Sequence, residues 1–467
     1  IVHAVTLAGP GWSASAGTVE LLADGEAPLL LQHDAPQSSA LRYLHPRPVE
    51  TSRGLFASMD DWAWGTIDGH SVPVTALPMV VAVDTPESAT YAPGEVLQAL
   101  TLEQGGLTAE RPIHVLEHGG ELYFVGTDDG PQTAATVIRR LVVTTTGGTT
   151  VYTTPEVARF TFAMDAQVAA AAIVDGHAIV VAADRIAPSL QVTAVALAGA
   201  TATVVDTELL AAAAPARVTT HGGFFAGNEL YLTTCHDPDR GARIDRVAIV
   251  VSGGALALGP ATLVRDVPAA RLVACATTPD GFLWIEREGA TYRVMRTVGG
   301  AAPTMVTTLP ATLPGVGDVH TFNANDRLDG VTDVALLADG DVLVLVNEHD
   351  TEPRGLHLAR RDTASGEWTT RHAVTPAAMM QRGELCVGPV FNAFACPSYG
   401  RDGCSPTACA QRPPEVRPRA RTHIGEAYMV VRGADVSLVY EAVDTERVLT
   451  DALATGYDVL HVSAPLP

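Results

Sequence analysis

Acidic residues follow the second strand predicted in most of the repeated units of this chain. These residues are Asp34, Asp84, Asp128, Asp184, Asp237, Asp350 and Asp444. A carboxylate in this position accepts hydrogen bonds from the turn that follows it, and the proline found after several of them presets φ for that turn. A ring of such carboxylates on one face would also concentrate negative potential there. We therefore expect an acidic loop face that attracts a divalent cation, a cationic ligand or a basic partner.

Histidine directly precedes aspartate in three of these loops, at His33, His236 and His349. An imidazole beside a carboxylate suits a metal ligand with its supporting partner, or an acid–base pair. The three copies fall in the first, fifth and seventh predicted units, and such repetition favours common ancestry over catalysis. We assign these histidines to binding, together with the acidic residues, and we predict no catalytic residue.

A loop before the seventh unit contains a cluster of oxygen-bearing side chains, at Asn325, Asp326, Asp329 and Asp333. Carboxylate and amide oxygens are the ligands that Ca²⁺ prefers. The spacing does not match the calcium loop of an EF-hand, so a solvated turn is the alternative interpretation. The sequence identifies no definite cofactor, and Ca²⁺ is the candidate.

Six cysteines are present: Cys235, Cys275, Cys386, Cys396, Cys404 and Cys409. The last four lie in a stretch rich in Gly, Pro and Arg at residues 376–422, which is typical of a disulfide-stapled insertion in an exported protein. A zinc knuckle is the competing interpretation, but the spacing of these cysteines differs from that of paired zinc ligands. Cys235 and Cys275 occupy comparable positions in consecutive units, and we expect a disulfide between them.

Composition excludes several chemistries. All 30 basic residues are arginine, so a P-loop lysine and a Schiff-base lysine are both impossible. The formal charge of −22 opposes binding to nucleic acid or to an anionic membrane surface. No apolar run is long enough to span a membrane. The G-x-S-x-G, H-E-x-x-H and G-x-G-x-x-G motifs are also missing.

The elements that must position these residues are short strands in repeated hairpins. Residues 330–350 and 17–34 both contain V-x-L-L-A-D-G, and both end in His-Asp. Asp339-Gly340 predicts a type I′ turn, in which both central residues have positive φ. Two such similar hairpins far apart in the chain indicate an internal repeat.

Four short antiparallel strands recur about every 45 to 60 residues, which is the pattern of a β-propeller blade. We predict one all-β domain over residues 1–467, with eight blades favoured and seven as the alternative. Residues 17–34 open the first unit, and residues 68–110 form the second. The N-terminal strand at residues 2–7 is expected to complete the last blade and close the ring, and the 376–422 insertion precedes that blade.

In this architecture the chain resembles the secreted bacterial β-propeller superfamily. The resemblance covers nearly all of the chain except the insertion, but it is carried by the strand pattern alone. The WD dipeptide, the kelch double glycine and the sialidase Asp-box are not repeated here.

The function we expect is that of an exported, non-enzymatic binding, adhesion or scaffold module, with a protein or glycan partner at the bacterial cell surface. The sequence begins at Ile1 without an export signal, so either the signal has been removed or the protein is cytosolic. The alternative function is a glycan-processing enzyme, a polysaccharide lyase or glycoside hydrolase, with its site over the central channel.

Overall fold

The computed structural model describes residues 29–33, 42–43, 47–67, 70–84, 96–99, 114–129, 134–147, 149–161, 166–184, 189–211, 222–235, 241–313, 317–318, 330–347, 355–374, 421–444 and 457–467. Every regular element within these ranges is a β-strand. Seven antiparallel sheets of four or five strands are the blades of a β-propeller, and two further sheets have two strands each. The prediction of an all-β propeller is confirmed.

Each blade has four strand positions, which we number from the propeller axis outward. The first strands are β2 (Arg42–Tyr43) with β3 (Arg47–Thr51), β7 (His114–His118), β13 (Ala166–Val174), β17 (Gly223–Ala226), β22 (Arg271–Thr278), β28 (Val331–Leu336) and β32 (Arg421–Arg432). The second strands are β4 (Gly54–Ile67), β8 (Glu121–Asp129), β14 (His177–Asp184), β18 (Glu229–Thr233), β23 (Gly281–Glu288), β29 (Val342–Asn347) and β33 (Asp435–Asp444).

The third strands are β5 (His70–Asp84), β9 (Ala134–Arg140), β15 (Ser189–Ala198), β19 (Ala242–Ser252), β24 (Thr291–Val298), β30 (Leu356–Arg361) and β34 (Tyr457–Pro465). The outer strands are β6 (Val96–Ala99), β12 (Glu156–Thr161), β16 (Thr201–Ala211), β21 (Thr262–Val267), β25 (Thr304–Leu309), β31 (Trp368–Val374) and β1 (Leu29–His33). Short additions are the hairpin β10–β11 (Val142–Thr146 and Thr149–Thr153), β20 (Ala255–Leu258) and the pair β26–β27 (Thr312–Leu313 and Gly317–Asp318).

The first strands surround the axis, because each of them contacts the first strands of the two neighbouring blades. The ring is closed by β1, which pairs antiparallel with β34 and so becomes the outer strand of blade 7. A strand from the N-terminal part of the chain therefore closes the propeller, as expected, and this strand is Leu29–His33. Residues 2–7, to which the sequence assigns this role, lie outside the described residues.

The prediction of eight blades is wrong. It counts residues 17–34 as the start of a separate blade, whereas Leu29–His33 belongs to blade 7. It also begins a second unit at residue 68, in the middle of a sheet that runs from Arg42 to Ala99. That sheet is blade 1, and its long hairpin of β4 and β5 supplies the strands that the sequence pattern divides between two units.

The hydrophobic cores lie between blades, which explains the continuous apolar runs of the second strands. In β29, Leu343 and Leu345 pack in a cluster shared with blade 7, while Val342, Val344 and Val346 pack in a cluster shared with blade 5. Alternate side chains of a strand point to opposite faces of its sheet. Because both faces are covered, the strand is apolar at every position from Val342 to Val346 rather than at every second one.

The turns between first and second strands use glycine in two ways. Asp175 and Gly176 have φ of 48° and 74°, so this Asp-Gly pair adopts the positive values that a type I′ turn needs. In the Asp339-Gly340 turn only Gly340 has positive φ, at 89°. There the N–H of Gly340 donates to the carbonyl of Leu337, which fits a type I turn followed by a bulge. The type I′ prediction for Asp339-Gly340 is therefore wrong.

Candidate functional site on the loop face

The second strands of blades 2, 3 and 7 end in acidic residues on one face of the ring. Asp128 is the penultimate residue of β8, Asp184 is the last residue of β14, and Asp444 is the last residue of β33. Second strands run in the same direction in every blade, so these ends lie at the same face. We call this face, where the second strands end and the third strands begin, the loop face.

Asp84 lies at the opposite face. It ends β5, the third strand of blade 1, and pairs with Leu55 at the start of β4. The sequence pattern makes Met79–Val83 a second strand, but β4 already occupies that position. Asp84 is therefore not brought together with the acidic residues of the loop face.

Most other predicted binding residues lie outside the part of the chain that the structure describes. His33 is described as the last residue of β1, where its backbone pairs with Asp458 in the outer half of blade 7. The remaining ones are Asp34, Asp237, Asp350, His236 and His349. The same holds for the predicted calcium ligands Asn325, Asp326 and Asp329, and for the cysteines Cys386, Cys396, Cys404 and Cys409 of the insertion.

Asp333, the described member of the predicted calcium cluster, links two blades. Its Oδ2 accepts a hydrogen bond of 2.8 Å from the backbone N–H of Met429, on the first strand of blade 7. Its Oδ1 accepts one of 2.8 Å from the N–H of Val334. Thr127 acts similarly between blades 2 and 3, since its Oγ1 accepts a hydrogen bond of 3.0 Å from the N–H of Val168. Each of these two side chains accepts a hydrogen bond from the backbone of the first strand in the next blade.

The face opposite the loop face carries ion pairs that the sequence analysis missed. We call it the turn face, because the turns between first and second strands, such as Asp175-Gly176, lie there. In four blades an acidic residue near the start of the second strand pairs with an arginine of the third strand. The pairs are Glu121 with Arg140 at 3.8 Å, Glu229 with Arg246 at 3.1 Å, Asp280 with Arg296 at 2.6 Å and Asp339 with Arg360 at 2.7 Å. The recurring signal was an arginine 16 to 21 residues after the acid.

Two carboxylates of this kind have lowered pKa values. The guanidinium of Arg296 and the hydroxyl of Thr278 lower the pKa of Asp280. The backbone N–H of Thr363, followed by Arg360, lowers the pKa of Asp341, and these donors lie 2.8 Å from its two carboxylate oxygens. Asp280 and Asp341 are thus held as ions by local partners.

Buried ionic groups join blades 4 and 5. Glu286 is fully buried on β23, and its Oε2 lies 2.8 Å from Nε of Arg265 on β21. The indole N–H of Trp284 donates to the same oxygen at 3.4 Å. Glu286 lies within β23, which continues through Glu288.

Cys235 and Cys275 are neighbours, but the expected disulfide between them is not supported. Both are buried thiols in the hydrophobic cluster between blades 4 and 5. Burial, followed by the hydrogen-bonding contact with Cys235, raises the pKa of the Cys275 thiol. A raised thiol pKa makes the nucleophilic thiolate scarce at neutral pH. The pair is therefore a packing element of this interface.

Within the described ranges, no group of three or more His, Cys, Asp or Glu side chains is arranged to hold a metal ion. Across the same residues, no helix has the length and hydropathy required to cross a bilayer.

Comparison with protein-family models and with curated proteins finds no match for this chain. Among solved structures it is similar to a sialidase of Trypanosoma rangeli, with 10% identity and a TM-score of 0.41, covering 91% of this chain and 55% of the sialidase. This chain thus spans little more than half of that enzyme. It is also similar to the WD40 domain of SCAP from fission yeast, with 8% identity and a TM-score of 0.35, covering 93% and 97% of the two chains. Likenesses this distant carry no argument about chemistry.

Proposed function

We propose that this protein is a non-enzymatic binding module whose loop face receives a positively charged ligand, either a divalent cation or a basic segment of a partner. The observation that carries the proposal is the placement of Asp128, Asp184 and Asp444 at corresponding strand ends of one face. Like charges placed on one face add their potentials and attract cations from solution.

The contrast between the two faces supports this choice. On the turn face, acidic residues such as Asp280 and Asp339 are paired with third-strand arginines. A paired carboxylate contributes little to the field outside the protein, because its arginine cancels most of the charge. The chain carries 52 acidic residues against 30 basic ones, so an excess of negative charge lies outside these ion pairs. The loop face is where we place part of that excess.

We further propose that the protein works outside the cell, where its partner is a surface protein or a glycan-bearing molecule. The support is the concentration of four cysteines between Cys386 and Cys409, which is typical of disulfide-stapled segments in oxidising compartments. Intact mass before and after reduction tests this part. Reduction adds two hydrogens for each disulfide. An intact mass of the exported protein that does not change on reduction would contradict this part of the proposal.

The binding proposal is tested with a triple variant, Asp128→Asn with Asp184→Asn and Asp444→Asn, titrated with Ca²⁺ and with an arginine-rich peptide at low ionic strength. The matched control, Glu229→Gln with Asp280→Asn and Asp339→Asn, removes the same formal charge from the turn face. We expect the loop-face variant to bind the better of the two probes about tenfold more weakly, since three charges at an ionic contact together contribute roughly 1 to 2 kcal/mol.

The control should bind as the wild type does, apart from a small uniform loss from its lower net charge. Equal losses in both variants would show that only net charge matters and would contradict a loop-face site. Failure of the wild type to bind either probe would contradict the proposal as a whole.

A further inference from the structure

Two buried nitrogens without hydrogen-bond partners lie at the loop-face ends of neighbouring first strands. Among the described residues, Nε of Arg47 and Nε2 of His114 are both buried and neither has a partner. Arg47 begins β3 in blade 1, and His114 begins β7 in blade 2. These strands contact each other around the axis, so the two side chains belong to one part of the channel rim. Buried polar atoms are usually hydrogen-bonded in proteins. Within the described ranges, Nε of Arg139 and Nε of Arg296 also lack partners, but those two arginines form hydrogen bonds through their other nitrogens.

The protonation state of the His114 ring follows from its surroundings. Burial, and then the positive charge of Arg47, lower its pKa to about 4, so the ring is neutral at pH 7. A hydrogen bond with the backbone of Val168 in blade 3 acts in the opposite direction and raises the pKa. A hydrogen bond that raises the pKa of histidine is one in which a ring N–H is the donor. Because Nε2 has no partner, we assign this N–H, and therefore the proton, to Nδ1. Nε2 then presents a lone pair that accepts a hydrogen bond.

Arg47, in contrast, presents hydrogen-bond donors and a positive charge. Its guanidinium lies 6.0 Å from the ring centroid of Tyr428 on the first strand of blade 7. In the part of the chain that the structure describes, no ion pair or hydrogen bond of Arg47 accompanies this contact. Nε of Arg47 is buried while the residue as a whole is half-buried, and its guanidinium is always charged. An unpaired arginine is notable in a chain whose acidic residues outnumber its arginines by 52 to 30.

We propose that Arg47 and His114 bind a small organic anion that carries a hydroxyl group, such as a uronic acid or a hydroxy acid. The oxyanion accepts hydrogen bonds from the Arg47 guanidinium, and the hydroxyl donates to Nε2 of His114. A water molecule could satisfy His114, but it would leave the charge of Arg47 uncompensated. A metal ion on Nε2 is opposed by the same charge. This site takes a ligand of opposite sign to the one proposed for the loop-face carboxylates and stands independently of it.

The test is calorimetric titration of the full chain with three probes that separate the contribution of the ligand's carboxylate from that of its hydroxyl groups. D-Glucuronate carries both a carboxylate and hydroxyls, D-glucose carries hydroxyls only, and acetate carries a carboxylate only. We expect glucuronate to bind with millimolar or better affinity and about tenfold more tightly than either of the others. Histidine NMR should show the His114 resonance, identified by its loss in His114→Gln, shifting with glucuronate.

Variants test the residues. Arg47→Gln should abolish binding, and Arg47→Lys should weaken it about tenfold because lysine lacks the planar fork of donors. Arg159→Gln, which removes a more exposed arginine from the outer strand of blade 2, should bind as the wild type does. The proposal is overturned if glucuronate does not bind, or if acetate or glucose binds as tightly as glucuronate does. It is also overturned if Arg47→Gln binds glucuronate as tightly as the wild type does. Melting curves of the variants confirm that each has folded.

Discussion

Nε of Arg265 on the outer strand of blade 4 lies 2.8 Å from Oε2 of Glu286 on the second strand of blade 5. The carboxylate is fully buried, whereas 28% of the Arg265 side chain is exposed. A buried carboxylate is stable as an ion only when its partners replace the water it has lost. Arg265 is the main partner, because the guanidinium of Arg293 lies farther away, at 3.7 Å. The contact therefore fixes how blade 4 sits against blade 5.

Replacing Arg265 with alanine should destabilise the propeller by about 3 kcal/mol, since it leaves a buried carboxylate without its main partner. The measurement is the midpoint of urea unfolding, followed by tryptophan fluorescence because Trp284 reports on this interface. Arg159→Ala is the control. It removes an arginine that also contacts a glutamate, at 3.0 Å, but at a largely exposed position. We expect its effect to stay below about 1 kcal/mol, and equal effects would show that Glu286 does not depend on Arg265.

Gly223→Ala should destabilise the contact between blades 3 and 4. A Cβ added at Gly223 would lie 2.6 Å from the Cβ of Ala170 and 3.1 Å from the carbonyl oxygen of Ala169. Both neighbours lie on β13, so relief requires the two first strands to separate, at a cost of about 1 to 3 kcal/mol. The control is Gly120→Asn, at a position with φ of +76° and nothing within 4 Å. Asparagine tolerates that conformation, so a larger effect at Gly120 than at Gly223 would contradict this packing.

The depressed pKa of Asp341 predicts a specific acid sensitivity. A carboxyl whose pKa is lower in the folded state than in the unfolded chain stabilises the fold above the unfolded pKa, about 3.9 for aspartate. That contribution disappears as pH falls through the folded-state pKa. Asp341→Asn should therefore melt at a lower temperature than the wild type at pH 7, and the difference should shrink in strong acid. The exposed Asp435→Asn is the control, and a difference for Asp341→Asn that persists at low pH would contradict the ionic role.

The thiols of Cys235 and Cys275 should resist alkylation in the folded protein. Both are buried, and burial raises the pKa of Cys275, so little reactive thiolate is available. Peptide mapping after treatment with iodoacetamide should find neither residue modified in the native state and both modified after unfolding without reductant. Modification that appears only after reduction would show a disulfide between them instead.

Sequence reasoning predicted the all-β propeller because four short strands, separated by turn residues, recur about every 45 to 60 residues. Its blade count failed because it opened separate units at residues 17–34 and 68–110, whereas β1 belongs to blade 7 and the hairpin of β4 and β5 belongs to blade 1. Asp84 was misplaced for a related reason, since β4 and β5 form a long hairpin whose register the local pattern does not set.

The candidate site was predictable only in part. Asp128, Asp184 and Asp444 follow from the rule that strands in corresponding positions end at the same face. The environment of Arg47 and His114 does not follow from any such rule, because it depends on these two side chains, the backbone of Val168 in blade 3 and the ring of Tyr428 in blade 7. The interblade role of Asp333 likewise depends on Met429, which lies 96 residues later in the chain.

The most direct test of the central claim, that the loop face is the binding face, is hydrogen–deuterium exchange with and without an excess of the arginine-rich peptide. We predict that protection will appear in peptides containing the strand ends at Asp128, Asp184 and Asp444, while the turns at Asp175-Gly176 and Asp339-Gly340 exchange as before. Protection confined to those turns, or none at all under conditions where the peptide binds, would contradict the account.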